Sequence, residues 1–139
     1  MDQPYPSCAG LLAQLEGAAR HATQRLNFAL VAKTPVATLS AFRKERGWQH
    51  LRLLSSSDNT FTRDSQGESA GGTQHPMMKV FQRDGAQIRH VWSSEMMYAP
   101  SDPGQDARQL ELVEPRWNLF DLTRAGRPED WQGHLSYPG

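Results

Sequence analysis

The stretch from Tyr5 to Leu12, YPSCAGLL, decides how the fold of this chain is predicted. Proline is favoured in the first turn of a helix, where its missing N–H would have had no intrahelical acceptor. Beyond it, apolar residues recur at helical spacing on one face, at Leu11, Leu15, Ala18 and Ala22. The pattern predicts a helix over about residues 7–17, with a continuation to residue 25 as the alternative, and Cys8 in its first turn.

Length and charge limit the class of protein. A chain of 139 residues can form one domain with its own core, so a single domain over residues 1–139 is predicted. Its 15 basic and 15 acidic residues give zero formal charge, which argues against nucleic acid and membrane surfaces as partners. Neither an apolar run of membrane-spanning length nor an export signal is recognisable, and a cytoplasmic protein is expected.

Cys8 is the only cysteine, which excludes an intrachain disulfide and a cysteine-based zinc site. The five histidines form no i, i+4 pair and no H-E-x-x-H motif. No phosphate-cradling loop, dinucleotide fingerprint or nucleophile elbow is present either. The sequence therefore predicts neither a metal nor another cofactor.

The next segments predict a parallel strand-helix-strand unit. The short apolar run Leu26–Ala32 is typical of a buried strand, and Leu51–Leu54 of a second, shorter one. Between them, Thr34 is predicted as the N-cap of a helix with Pro35 at its first position. Gly47 is predicted to end this helix, because glycine readily adopts the left-handed conformation found there.

A β-hairpin is predicted further along the chain. Asp84-Gly85 separates the strand-like runs 77–83 and 87–93, and a two-residue turn with positive φ at both positions is expected. Phe81 is predicted to lie in the core. A flexible polar loop is expected at residues 64–75, before the hairpin. A Pro/Gly-rich extension follows over residues 100–139, with a candidate helix near 105–113, an apolar strip over 117–122 and a mixed-charge segment after it.

The order of these elements, together with four sequence stretches, resembles a bacterial family of the thioredoxin-like superfamily. This family is labelled domain of unknown function 899 and described as predicted dithiol-disulfide oxidoreductases. The stretches are 5–8, which aligns with Cys-Pro-x-Cys, 41–48, 75–76 followed by 80–85, and 90–93 together with 119–127. The resemblance implies an α/β, thioredoxin-like fold that is incomplete, because the strand before the active-site helix is missing.

The resemblance also implies a set of site residues. Tyr5 stands where the first, attacking cysteine of the motif would be, and Cys8 matches the second. Pro76 matches a cis-proline that would lie near Tyr5 and Cys8 and receive an extended peptide. Tyr5, Ser7, His75 and Pro76 are therefore candidate binding residues, and Cys8 is the candidate catalytic residue. Cys8 is interpreted either as a redox thiol at a helix N-terminus or as an inert, buried residue.

Two functions follow from these alternatives. The first is a non-catalytic domain that self-associates or binds a partner. The second is a single-thiol oxidoreductase that uses Cys8 for mixed-disulfide or glutathione chemistry with a protein or peptide thiol. A homodimer is predicted because a missing strand leaves unpaired backbone groups for a second copy to cover. A monomer with rearranged strands is the alternative.

Overall fold

The computed structural model describes residues 5–100, 103, 113–128, 134–135 and 137. They form two compact units, one from Met1–Asp58 with Val113–Gly139 and the other from Asn59–Leu112. The first unit holds helix α1 (Pro6–Ala22), strand β1 (Ala29–Ala32), helix α2 (Val36–Glu45), strand β2 (Arg52–Ser55) and helix α4 (Pro115–Asp121). The second holds the short helix α3 (Phe61–Asp64) and strands β3 (Met77–Asp84) and β4 (Gln87–Glu95).

Helix α1 follows the longer of the two sequence interpretations. Tyr5 is its N-cap, with extended backbone at φ −59° and ψ 138°, and Pro6 occupies its first turn. The helix continues through Gly17 to Ala22, because Leu12 and Ala19 on either side of the glycine are buried. The burial of these two side chains therefore outweighs the low helix propensity of one glycine.

The parallel strand-helix-strand unit is present, but β1 is not the buried strand that was predicted, because its residues alternate between exposed and half-buried. Strand β2 lies one residue later than predicted, and the ends of β1 and α2 also differ. Strand β1 has only four residues, paired in parallel with β2, and Leu30 lies beside Leu53. Helix α2 begins at Val36, one residue later than predicted, because Pro35 has an extended ψ of 143° and is itself the N-cap in place of Thr34. Gly47 follows the helix with φ +67°, which confirms it as the helix stop.

The core of the first unit lies between α1, α2 and one face of the β1–β2 pair. Its buried residues are Leu12, Trp48 and Leu51. Leu15, Phe28, Leu30, Phe42 and Leu53 pack against them. The rings of Phe42 and Trp48 meet edge to face with centroids 5.1 Å apart, so the end of α2 is joined to the loop that leads into β2.

The hairpin of the second unit is present, but its turn is shifted by one residue. Asp84 pairs with Gln87, so the turn residues are Gly85 and Ala86. Only Gly85 has a positive φ, at +57°, as in turns that place glycine first. Between Val80 and Phe81 the register shifts by one, which leaves Val91 as an extra residue in β4 and forms a β-bulge.

The prediction that Phe81 is a core residue is wrong, because its side chain is 46% exposed. A side chain on a sheet is buried only where another layer of structure packs on that face, whatever the pattern of the strand itself. The predicted polar loop is more ordered than expected at two points. Helix α3 reaches Asp64, and Glu68 forms an antiparallel bridge with Gln74.

The four strands described form two separate two-stranded sheets, one parallel and one antiparallel. The mixed α/β class is therefore confirmed, while a single thioredoxin-like sheet is not. The apolar strip at residues 117–122 lies on and just after α4, where Leu119 and Leu122 are exposed. The candidate helix near 105–113 lies almost entirely outside the described residues.

Candidate functional site

The N-terminal turn of α1 holds three of the predicted site residues. The side chain of Tyr5 is 59% exposed, and its carbonyl oxygen accepts the N–H of Ala9 at 3.0 Å. Ser7 and Cys8 follow in the first turn, and both are half-buried. Cys8 thus lies at the positive end of the helix dipole, as the sequence predicts.

The surroundings of Cys8 nevertheless suppress its thiolate. Burial is the main cause that raises the pKa of the Cys8 thiol, and the negative charge of Glu114 raises it further. The hydrogen bonds from Ser7 and from the Cys8 backbone lower the pKa but do not compensate. Since the thiolate is the nucleophile, Cys8 in this setting is a weak one.

Glu114 is the residue that sequence reasoning missed. It is the N-cap of α4, and only 1% of its surface is exposed. Its carboxylate accepts hydrogen bonds from Gln14 Nε2 at 3.4 Å and Trp117 Nε1 at 3.2 Å, and forms an ion pair with Arg116. Burial raises the pKa of Glu114 in spite of these partners. The Glu114-Pro115 dipeptide could have indicated the start of α4, because proline is favoured at the first position of a helix.

α4 is held against α1 at a glycine. A side chain on Gly10 would bring a Cβ within 2.8 Å of Arg116 Nη1, so the absence of a side chain makes room for the guanidinium. Gln14 connects the same two helices, because its amide donates to the Glu114 carboxylate at 3.4 Å as well as to the Gly10 carbonyl of its own helix at 3.2 Å. Cys8 therefore lies near a polar contact between α1 and α4. In the described residues, this contact joins the two helices.

Charged groups also surround the Trp117 ring. The guanidinium carbons of Arg116 and Arg127 lie 5.5 and 5.6 Å from its centroid. Arg127 donates two hydrogen bonds to Asp121, at 2.8 and 2.7 Å. The described part of the mixed-charge segment thus contains a bidentate salt bridge between Arg127 and Asp121.

The other two predicted site residues lie in the second unit. His75 donates its backbone N–H to the Gly67 carbonyl at 2.9 Å, and the Pro76 carbonyl accepts the N–H of Met96 at 2.9 Å. No cis peptide bond occurs in the described ranges, so the prediction of a cis-proline at 76 is wrong. Pro76 instead continues the extended run of β3, which a trans peptide allows. A site shared by Cys8 and Pro76 stays a prediction.

Within the described residues, no three His, Cys, Asp or Glu side chains are grouped so that they could hold a metal ion. None of the helices in the described ranges combines the length and the apolar character needed to cross a bilayer.

Comparison with known proteins gave one match. A family model described as "Bacterial protein of unknown function (DUF899)" matches residues 1–137. No curated protein and no solved structure matches the chain.

Proposed function

Because the chain belongs to the DUF899 family of bacterial proteins of unknown function, we propose that it is a non-catalytic, self-associating binding domain on a thioredoxin-like scaffold. The order of elements supports the scaffold: a helix with cysteine in its first turn, the parallel unit β1–α2–β2, and then the hairpin β3–β4. The observation that carries the function is the exposed apolar surface of this hairpin.

Val80 and Trp92 are direct cross-strand partners and define one face of the hairpin. Their side chains are 44% and 42% exposed, and the neighbouring Val91 is 51% exposed. A two-stranded sheet is marginally stable by itself in water, so burial of this pair against another chain would stabilise it. Apolar cross-strand pairs of this kind are normally covered.

A second copy of the chain is the proposed partner. The chain has no formal net charge, so two copies do not repel one another over long range. Two-fold symmetric dimers, in which the same patch is used by both subunits, are the commonest oligomers. The Val80–Trp92 face is apolar and therefore suits such a self-complementary contact.

The chemistry of Cys8 supports binding over the alternative, single-thiol exchange. Exchange requires an accessible thiolate and a second thiol to resolve the mixed disulfide. Cys8 is half-buried with a raised pKa, and the chain has no other cysteine. A single-thiol reaction would have to use a thiol from outside.

Light scattering after size exclusion tests the proposal. We expect the native protein at micromolar concentration to have twice the chain mass of 15.6 kDa. Trp92→Ser should give the monomer mass, whereas Val36→Ser, at a residue 65% exposed on α2, should leave the dimer intact. Cys8→Ser should also leave it intact. A native monomer, or a dimer that Cys8→Ser abolishes, would overturn the proposal, and circular dichroism confirms that each variant is folded.

A further inference from the structure

The hairpin has a second surface, on the face opposite Val80 and Trp92. Phe81 pairs with His90 and Arg83 pairs with Ile88, so these four side chains share one face near the turn. We call them the tip patch. Phe81 and Ile88 are 46% and 59% exposed, and the rings of Phe81 and His90 pack with centroids 5.1 Å apart.

The tip patch has an excess of positive charge. Arg83 is exposed, and its guanidinium makes no hydrogen bond or ion pair with any residue in the described ranges. Lys79 lies on the same face, and its ammonium group donates to the backbone carbonyl of Ser65 and, at 2.8 Å, to its hydroxyl. Asp84 is the one acidic residue of β3, and alternation places it on the other face. The tip patch thus complements a partner that is both acidic and apolar.

The open edge beside this patch is that of β3. In the described part of the chain, β3 pairs with β4 alone, so its outer edge has unpaired backbone groups along eight residues. The bulge at Val91 lies in β4, and bulges interfere with pairing at the edge that carries them. A strand of eight residues is about 27 Å long, which fits an extended peptide segment.

A second copy of the chain fits this edge poorly in the register centred on Phe81. In two-fold antiparallel pairing of two β3 edges about Phe81, Lys79 of one copy would face Arg83 of the other. Like charges directly opposite each other destabilise a sheet. Charge therefore favours a different partner at this edge.

We propose that the outer edge of β3 and the tip patch bind an extended, acidic segment of another protein, which adds as a third strand. Its backbone pairs with β3, one carboxylate faces Arg83, and an apolar side chain two residues away faces Phe81. This goes beyond the proposed self-association, which uses the opposite face of the hairpin.

Titration of the ¹⁵N-labelled protein with two capped peptides tests this proposal. The first is Glu-Ser-Val-Ser-Glu-Ser-Val-Ser, which places acidic and apolar side chains alternately on one face, and the second has lysine in place of glutamate. We expect saturable shifts of the β3 amides with the acidic peptide and about tenfold weaker binding of the lysine peptide. Added salt should weaken the binding of the acidic peptide.

Charge reversal provides the decisive variant. Arg83→Glu should reverse the preference, so that the lysine peptide binds more tightly than the acidic one. Arg20→Glu, an equal charge change at an exposed position of α1, should leave the preference unchanged. Both positions are exposed, so both variants should remain folded.

Absence of saturable binding, equal binding of both peptides, or an unchanged preference in Arg83→Glu would overturn the inference. Light scattering on the same samples separates this outcome from a failure of the proposed function. If the native protein is a dimer that depends on Trp92 but does not bind the acidic peptide, only the edge assignment fails.

Discussion

At the scale of single residues, Cys8 has a position that favours reactivity and surroundings that oppose it. The helix N-terminus stabilises a thiolate, whereas burial and the charge of Glu114 destabilise it. Burial is the largest cause, and the pKa of the thiol is raised overall. At neutral pH the Cys8 thiol is therefore mostly protonated, which makes it a weak nucleophile.

We predict that Cys8 in the native protein reacts with iodoacetamide at neutral pH about tenfold more slowly than in the urea-unfolded chain, because only the thiolate reacts. The rate should increase as the pH is raised through the elevated pKa of Cys8. Mass spectrometry of the alkylated protein measures both rates. Equal rates in the two states would contradict the assigned burial.

The carboxylate of Glu16, on α1, is bound by three backbone N–H groups of the loop before β2. Its carboxylate accepts the backbone N–H groups of Gln49 and His50, each at 2.8 Å, and of Leu51 at 2.6 Å. Arg43, on α2, donates to the carbonyls of Trp48 and Gln49 in the same loop. The loop that carries two core residues into β2 is therefore held from α1 and from α2.

We predict that Glu16→Gln lowers the free energy of unfolding by about 1–3 kcal/mol, since the buried N–H of Leu51 would then face an amide donor. Glu45→Gln provides the matched control, because Glu45 is an exposed residue at the end of α2. Urea unfolding monitored by tryptophan fluorescence measures the difference. Equal stability of the two variants would show that Glu16 does not hold the loop.

The pH dependence of this contribution has a defined sign. Partial burial raises the pKa of Glu16, but its three backbone hydrogen bonds outweigh this, and the pKa is lowered overall. The stabilisation is therefore fully present above the ordinary glutamate pKa of about 4.3 and is lost as the pH falls through the lowered value. In Glu16→Gln, this part of the acid-induced loss of stability should be absent.

At the scale of elements, two glycines of α1 have opposite surroundings. A Cβ on Gly17 would meet no atom within 4 Å, whereas one on Gly10 would meet Arg116 Nη1. We predict that Gly17→Ala stabilises the protein by about 0.5–1 kcal/mol through helix propensity. Gly10→Ala should raise the stability of the protein by less than this, or lower it, because the new methyl group displaces a guanidinium that is paired with Glu114. Thermal unfolding compares the two variants, and equal effects would contradict the contact between α1 and α4.

The two sheets differ in how well they are covered. Leu51, which leads into β2, is 1% exposed, whereas Phe81 on β3 is 46% exposed. We predict that Leu51→Ala costs about 2–5 kcal/mol, as is typical of core truncations, and Phe81→Ala below about 1 kcal/mol. Chemical denaturation measures both. A loss above 2 kcal/mol for Phe81→Ala would mean that the hairpin is covered in solution.

At the scale of the whole molecule, the chain divides into a first unit with a helix-covered core and a second unit built around an exposed hairpin. We predict that, in the monomeric variant Trp92→Ser, the backbone amides of β3 and β4 exchange hydrogen faster than those of α1, because an uncovered two-stranded sheet opens at low cost. Hydrogen exchange read by NMR tests this at two protein concentrations. Protection of the hairpin should increase with concentration if it is the dimer contact, and in Trp92→Ser it should not.

The sequence by itself determined those features that depend on neighbouring residues. The start of α1 follows from Pro6, the end of α2 from Gly47, and the position of the hairpin from Gly85, because each reflects local backbone preference. The buried face of α1 was predicted wrongly: Ala9, Leu12 and Ala19 are buried, whereas Ala18 of the predicted face is exposed. Family membership also came from the residues alone. Tertiary structure decided which side chains are covered and which groups interact over long sequence separations. Glu114 is buried against Gln14, one hundred residues away, and Phe81 is exposed, because burial depends on what packs against an element and not on its own pattern.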